Sequence, residues 1–173
     1  MPRSFDMAAE YQGTVEQVHN AFSDEEYWLV RLGDSGADHA TLDEMVIDHA
    51  GGIRIKTTQT LRADRLPAVV SQFHRGDLSF VREEAWTPVA DRRATAVVRG
   101  SIPGAPASLT GDAVLSSVAD AAGGMGSRMT FKATVEVRVP LVGGKIENFI
   151  GSQLLYLLTA EQRFTTVWIT ENS

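Results

Sequence analysis

The 173-residue chain contains no cysteine, which removes disulfides, thiolate nucleophiles and zinc–thiolate sites together. It also lacks any basic run of five or more residues. With a formal net charge of −6 and a pI near 5.2, it would repel a phosphate backbone on average, so nucleic acid is not an expected partner. Long apolar runs are missing as well: the stretch Ile146 to Leu158 is too short to span a bilayer and carries Glu147, Asn148 and Gln153, so stable membrane insertion is not expected. The amino terminus, MPRSFDMAAEYQG, has no continuous apolar segment of the kind a signal peptide needs, because Asp6 and Glu10 interrupt it. A cytoplasmic protein is the resulting expectation. No nucleophile elbow, phosphate loop or dinucleotide fingerprint occurs. The run GGMG at Gly123 to Gly126 falls between two expected strands and reads as a hairpin loop, whereas a nucleotide loop would need a following helix.

What is present is ordinary globular composition: 43% hydrophobic and 22% charged residues, in a chain long enough to bury roughly 70% of its unfolded surface. One domain over residues 1–173 is expected. The chain opens on alternation, with Phe5, Met7, Ala9 and Tyr11 opposite Ser4, Asp6 and Glu10, the period of a half-buried strand. Two helix starts follow, TVEQ at Thr14 to Gln17 and SDEE at Ser23 to Glu26, each read as a capping box. Val15, Val18 and Phe22 would line the first helix, Tyr27, Trp28, Val30 and Leu32 the second, and Gly33 would end it.

From Ala40 the period is two. ATLDEMVID and GGIRIKTTQTLR read as strands joined by a turn at HAGG, and Pro67 suits a short helix through Phe73 and His74, ended by the turn at Arg75 to Asp77. Four more strands fit LSFVREEAWT, RATAVVRGS, ASLTGDAVLSSVA and SRMTFKATVEVRV. In the last, Met129, Phe131, Ala133, Val135, Val137 and Val139 share one face. Pro140 ends it, and a closing helix follows from Val142, Gly143 and Gly144. Ile146, Ile150, Leu154, Leu157, Phe164 and Trp168 form its apolar stripe, with Gln153 and Glu161 within about 60° of Ile150.

This order, with MPRSFDMAAEY, QFHRGDLSFVREEAWTP and RVPLVGGKIENFIG, resembles an actinobacterial family of unknown function within the START-like, SRPBCC or Bet v 1-like (helix-grip) superfamily. The resemblance covers the whole chain. It implies an α+β fold in which a curved antiparallel sheet of about seven strands wraps a long C-terminal helix, with two short helices after strand one and a cavity between sheet and helix. It implies no catalytic residue and no cofactor.

The residues themselves speak to that cavity. Ala94 and Ala96 on one strand, and Gly111 and Ala113 on the next, leave volume unfilled on the inward face, or else let the helix approach closely. The first reading predicts a pocket of ~300 to 1,000 Å³. Leu78, Phe80 and Trp86 select a face that also holds Arg82 and Glu84, so either an Arg82–Glu161 or an Arg82–Glu84 pair is expected, structural or ligand-orienting in role. The candidate ligand-binding residues are therefore Phe80, Arg82, Glu84, Trp86, Ala96, Ala113, Phe131, Gln153, Leu157, Glu161 and Phe164. His19 reads as a core-edge histidine. His39, Asp43, Glu44, Asp48 and His49 are scattered by strand alternation, so no metal site is expected, and His74 in HRGD reads as part of a charged turn. Three functions stand: a carrier or sensor of an apolar small molecule (lipid, isoprenoid or polyketide-like), a cyclase- or dehydratase-like enzyme, and a protein-interaction module with a filled core.

Overall fold

The structure, a computed structural model, describes residues 2–72, 74–119 and 125–172. Its elements run β1 (Arg3–Tyr11), α1 (Val15–Phe22), α2 (Glu25–Gly33), β2 (His39–Ile47), β3 (Ile53–Leu61), a 3-10 turn (Ala63–Arg65), α3 (Ala68–Ser71), β4 (Leu78–Trp86), β5 (Arg93–Ser101), β6 (Ala107–Ala119), β7 (Met125–Val137) and α4 (Gly143–Glu171). The strands form one seven-stranded sheet in the order β1-β7-β6-β5-β4-β3-β2, with every pairing antiparallel. This is the expected α+β helix-grip architecture.

Alternation sets the register. In β7 the buried or half-buried Met129, Phe131, Ala133 and Val135 face the concave side, opposite Leu115, Ala113, Gly111 and Leu109 of β6. Between β2 and β3 the turn is closed by Asp48, whose Oδ1 accepts from the backbone N–H of Ala50 and Gly52, and by Gly51 at φ 97°, a conformation that glycine adopts without steric cost. A bulge between Leu42 and Glu44 leaves Asp43 unpaired in the edge strand, and its carboxylate accepts from the hydroxyls of Thr41 and Thr58. Met125 and Gly126 of the GGMG run belong to β7; Gly123 and Gly124 lie outside the described residues.

The caps correct one expectation. Thr14 and Gln17 form the capping box of α1, but α2 is capped by Asp24, which accepts from Glu26 N at 2.9 Å, and not by Ser23. Ser23 is still helical, at φ −90° and ψ 0°, as the C-cap of α1, so only the extended Asp24 can turn its side chain onto the next helix's free N–H groups. The stripe of α2 differs too. Val30 is exposed and Arg31 is buried beside Tyr27, Trp28 and Leu32. Pro67 caps α3, which ends at Ser71 and so does not reach His74; Phe73 lies outside the described residues.

The 29 residues of α4 extend for about 43 Å and pack chiefly on β1 and β7. Its most buried residues are Gly143, Ile146, Glu147, Gly151, Leu158 and Thr165, which rotates the helix relative to the stripe read from hydropathy. Gly151 sets this rotation: a Cβ there would collide with the Phe5 ring, so only glycine lets β1 come this close. Glu147, fully buried, accepts from Val137 N at 2.8 Å through Oε2 and ties the first turn of the helix to the end of β7. Phe22, Tyr27, Trp28, Trp86, Phe164 and Trp168 pack as one aromatic cluster that joins α1, α2, β4 and α4.

Candidate functional site

Between the concave face of β4 to β7 and the middle of α4 lies a cavity of about 50 Å³. It is lined by Phe80, Arg82, Glu84, Trp86, Val98, Leu109, Ala113, Met129, Phe131, Leu154, Leu157, Leu158 and Glu161. This is far below the expected ligand-sized volume, and the reason is local. The inward glycines do not leave empty space; aromatic rings from neighbouring strands lie over them. A Cβ on Gly100 would stand 2.7 Å from the Phe80 ring, and one on Gly111 would collide with the Phe131 ring. Each phenyl group thus occupies the hollow that a missing side chain creates.

At the end of the cavity towards α2 the wall becomes ionic. Glu161 Oε2 accepts from Arg31 Nη2 at 2.5 Å and from Arg82 Nη2 at 2.8 Å, while Arg82 Nη1 reaches Oε1 at 3.4 Å. Glu84 stands beside Arg82, with Nε to Oε2 at 3.4 Å, and its Oε1 accepts from Trp86 Nε1 at 3.3 Å. Two guanidinium groups therefore balance two carboxylates. Arg31 lies with its guanidinium carbon 4.6 Å from the centre of the Trp28 ring and donates to the Tyr27 hydroxyl at 3.1 Å. Thr165 spends its proton on Glu161 O at 2.7 Å, so in the 2.6 Å contact between the two hydroxyls Tyr27 is the donor.

The electrostatics follow from this packing. Burial opposes a charge on Glu161, but Arg31 and Arg82 outweigh it and hold the carboxyl down to about 2. Burial likewise works against charge on both arginines, and Glu161 more than compensates, so both are held above their ordinary value. Burial pushes the Tyr27 and Tyr11 phenols up, and the Tyr11 hydroxyl turns to Met129 Sδ at 3.9 Å. Glu161 and its two arginines thus hold one another in their charged forms at neutral pH.

The structure brings most of the candidate residues together: Phe80, Arg82, Glu84, Trp86, Ala113, Phe131, Leu157 and Glu161 all line the cavity. Three do not. Ala96 is buried in β5 between its partners Trp86 and Ala113 and does not reach the void. Phe164 belongs to the aromatic cluster, against Tyr27 and Trp168. Gln153 was expected to face the sheet but is exposed, because it stands about 160° round the helix from Gly151, the residue on which α4 seats. Hydropathy reasoning missed Arg31, Tyr27 and Thr165 as members of the ionic wall. The signal for Arg31 lay in its spacing, three after Trp28 and four after Tyr27, which places it on their face of α2. His19 is buried at the edge of the core with Nε2 2.9 Å from Thr87 O, and no group of three or more metal-ligating side chains converges among the described residues.

A curved antiparallel sheet gripping a terminal helix over a lined cavity defines a helix-grip fold. The chain belongs to the family described as "Protein of unknown function (DUF2505)", which it matches over residues 6–169. It is 50% identical to an uncharacterized protein of Mycobacterium tuberculosis, over 99% of each chain. Among solved structures it is similar to the ZhuI aromatase/cyclase of a Streptomyces species, with a TM-score of 0.58 and 8% identity over 98% of this chain and 94% of that one. It is also similar to Ara h 8.0201, with a TM-score of 0.57 and 9% identity over 99% and 100% of the two chains. At such identities the likeness is one of fold. No helix among the described residues is long and apolar enough to cross a membrane.

Proposed function

We propose that the protein is a carrier or sensor, built as one domain over residues 1–173, that encloses an apolar small molecule of lipid, isoprenoid or polyketide-like kind between the sheet and α4. The observation that carries this reading is the composition of the cavity wall: aliphatic and aromatic side chains from four strands and the helix converge on a void that ends at one fixed polar cluster. That is the usual arrangement of a small-molecule site, in which apolar lining supplies affinity and a few polar groups set orientation. The volume is set by the positions of two rings. Phe80 and Phe131 are only half-buried and sit over glycines, so rotation of the two rings enlarges the void without moving a strand.

Thermal denaturation with a panel of fatty acids, sterols, isoprenoids and aromatic polyketides tests the proposal. A ligand that binds only the folded state, at a hundred times its dissociation constant, adds about 2.7 kcal/mol, which raises Tm by about 5 to 10 °C in a chain of this size. At least one member of the panel is expected to do so. No stabilisation by any member, with the cavity still closed around Phe80 and Phe131, would favour a protein-interaction module with a filled core.

A further inference from the structure

Two of the buried polar atoms in the cavity wall have no hydrogen-bond partner among the described residues: Arg82 Nε and Glu84 Oε2. Every other polar atom of these two side chains is engaged, since Arg82 Nη1 and Nη2 bond Glu161 and Glu84 Oε1 bonds Trp86. The two atoms form an ion pair at 3.4 Å but lack hydrogen-bond geometry to each other. Arg82 is 9% exposed and both residues line the cavity, so the unpartnered donor and acceptor lie side by side within its wall, covered until a side chain shifts. An unsatisfied buried polar atom is costly, and a pair of opposite type selects for a group that can answer both.

Building on the small-molecule reading, we infer that the ligand is neutral and hydroxyl-bearing: its hydroxyl donates to Glu84 Oε2 and accepts from Arg82 Nε, while its apolar body lies against Phe80, Phe131 and Leu157. A hydroxyl has one donor hydrogen and free lone pairs on a single atom, which matches the two complementary sites. A carboxylate offers acceptors only; it would satisfy Arg82 and face Glu84 with like charge, in a cluster whose two cations are already balanced by two anions. A ketone would leave Glu84 Oε2 unanswered. A hydrocarbon would leave both atoms unanswered.

Three probes of one shape separate these cases: 2-naphthol, naphthalene and 2-naphthoate, titrated at pH 7 by calorimetry against the full chain. The expected order is naphthol tightest, by about tenfold or more over naphthalene, as hydrogen bonds to charged groups imply, with naphthoate weakest. Glu84→Gln puts an amide donor before Arg82 Nε, and Arg82→Lys keeps a cation for Glu161 while removing the Nε–H. Either variant is expected to abolish the advantage of naphthol over naphthalene measured on the same protein. Equal binding of naphthol and naphthalene would overturn the hydroxyl assignment while leaving the cavity reading intact, and so would tightest binding of naphthoate. An advantage that survives in both folded variants would place the hydroxyl elsewhere. If none of the three binds, the cavity reading itself falls and the hydroxyl assignment with it. The wild-type comparison stands alone should both variants fail to fold.

Discussion

Arg31 of α2 and Arg82 of β4 reach the same oxygen, Glu161 Oε2, at 2.5 and 2.8 Å, so one carboxylate on α4 joins the helical pair to the sheet. Glu161→Gln keeps the shape and leaves two buried guanidinium groups with Glu84 as their nearest anion. Removing one member of a buried charged cluster typically costs about 3 to 5 kcal/mol, and chemical denaturation is expected to show a loss in that range. Arg31→Met, which loses both the ion pair and the contacts with Tyr27 and Trp28, should cost a similar amount. In the double variant the two losses should not add, because both report the same contact. Strict additivity would mean that Arg31 and Glu161 do not interact in solution.

The same cluster gives stability a defined pH dependence. The folded Glu161 carboxyl is depressed to about 2 from an ordinary value of 4.5, so its contribution is fully present above about pH 4.5 and is lost as pH falls towards 2. Wild-type stability, followed by urea denaturation across that window, should drop by on the order of 3 kcal/mol more than that of Glu161→Gln, which has no carboxyl to protonate. Parallel curves for the two proteins would show that Glu161 is not held by its arginines.

Much of this was legible in the chain. Strand alternation put Arg82 on the face of Phe80, Glu84 and Trp86, and the closing helix placed Glu161 above it, so Arg82–Glu161 and Arg82–Glu84 stood as alternatives; the structure forms both. The rotation of α4 was not legible. Hydropathy favours Ile150 over Gly151 and cannot know that Phe5 requires a glycine, or that Glu147 is buried because Val137 N needs an acceptor. The void was misjudged for a related reason. Gly111 opposes Ala133, and its hollow is filled by Phe131, the partner of Ala113 one step along the same face; such diagonal packing depends on side-chain lean, which a linear pattern does not carry. Arg31 was passed over because a lone arginine on a short helix reads as solvated.

Two glycines in helices make a direct test of the packing. Nothing lies within 4 Å of a Cβ built on Gly33, in the last turn of α2, so Gly33→Ala should gain up to about 1 kcal/mol from helix propensity. Gly151→Ala receives the same local benefit but must displace the Phe5 ring and part α4 from β1, so it should destabilise by about 1 to 3 kcal/mol. Opposite signs in thermal melts are the expected outcome. Stabilisation by Gly151→Ala would mean that α4 does not seat on β1 as described.

Phe131 ties the packing to the proposed function. Its ring fills the hollow over Gly111, so Phe131→Ala should enlarge the cavity and cost stability, though less than the ~3 to 5 kcal/mol of a fully buried phenylalanine because the ring is half-buried. An apolar probe such as naphthalene should then bind more tightly than to wild type, since it no longer has to displace the ring. Gly111→Ala works by the other route: the new methyl evicts Phe131 from its hollow without removing it and meets the carbonyl of Lys132 at 3.1 Å. It should therefore destabilise and weaken naphthalene binding, because the displaced ring must occupy the remaining void. Calorimetric titration of both variants against wild type reads the two directions at once. Tighter binding by Phe131→Ala with weaker binding by Gly111→Ala assigns the ring as the group a ligand must move; unchanged affinity in both would place any bound molecule away from this cavity.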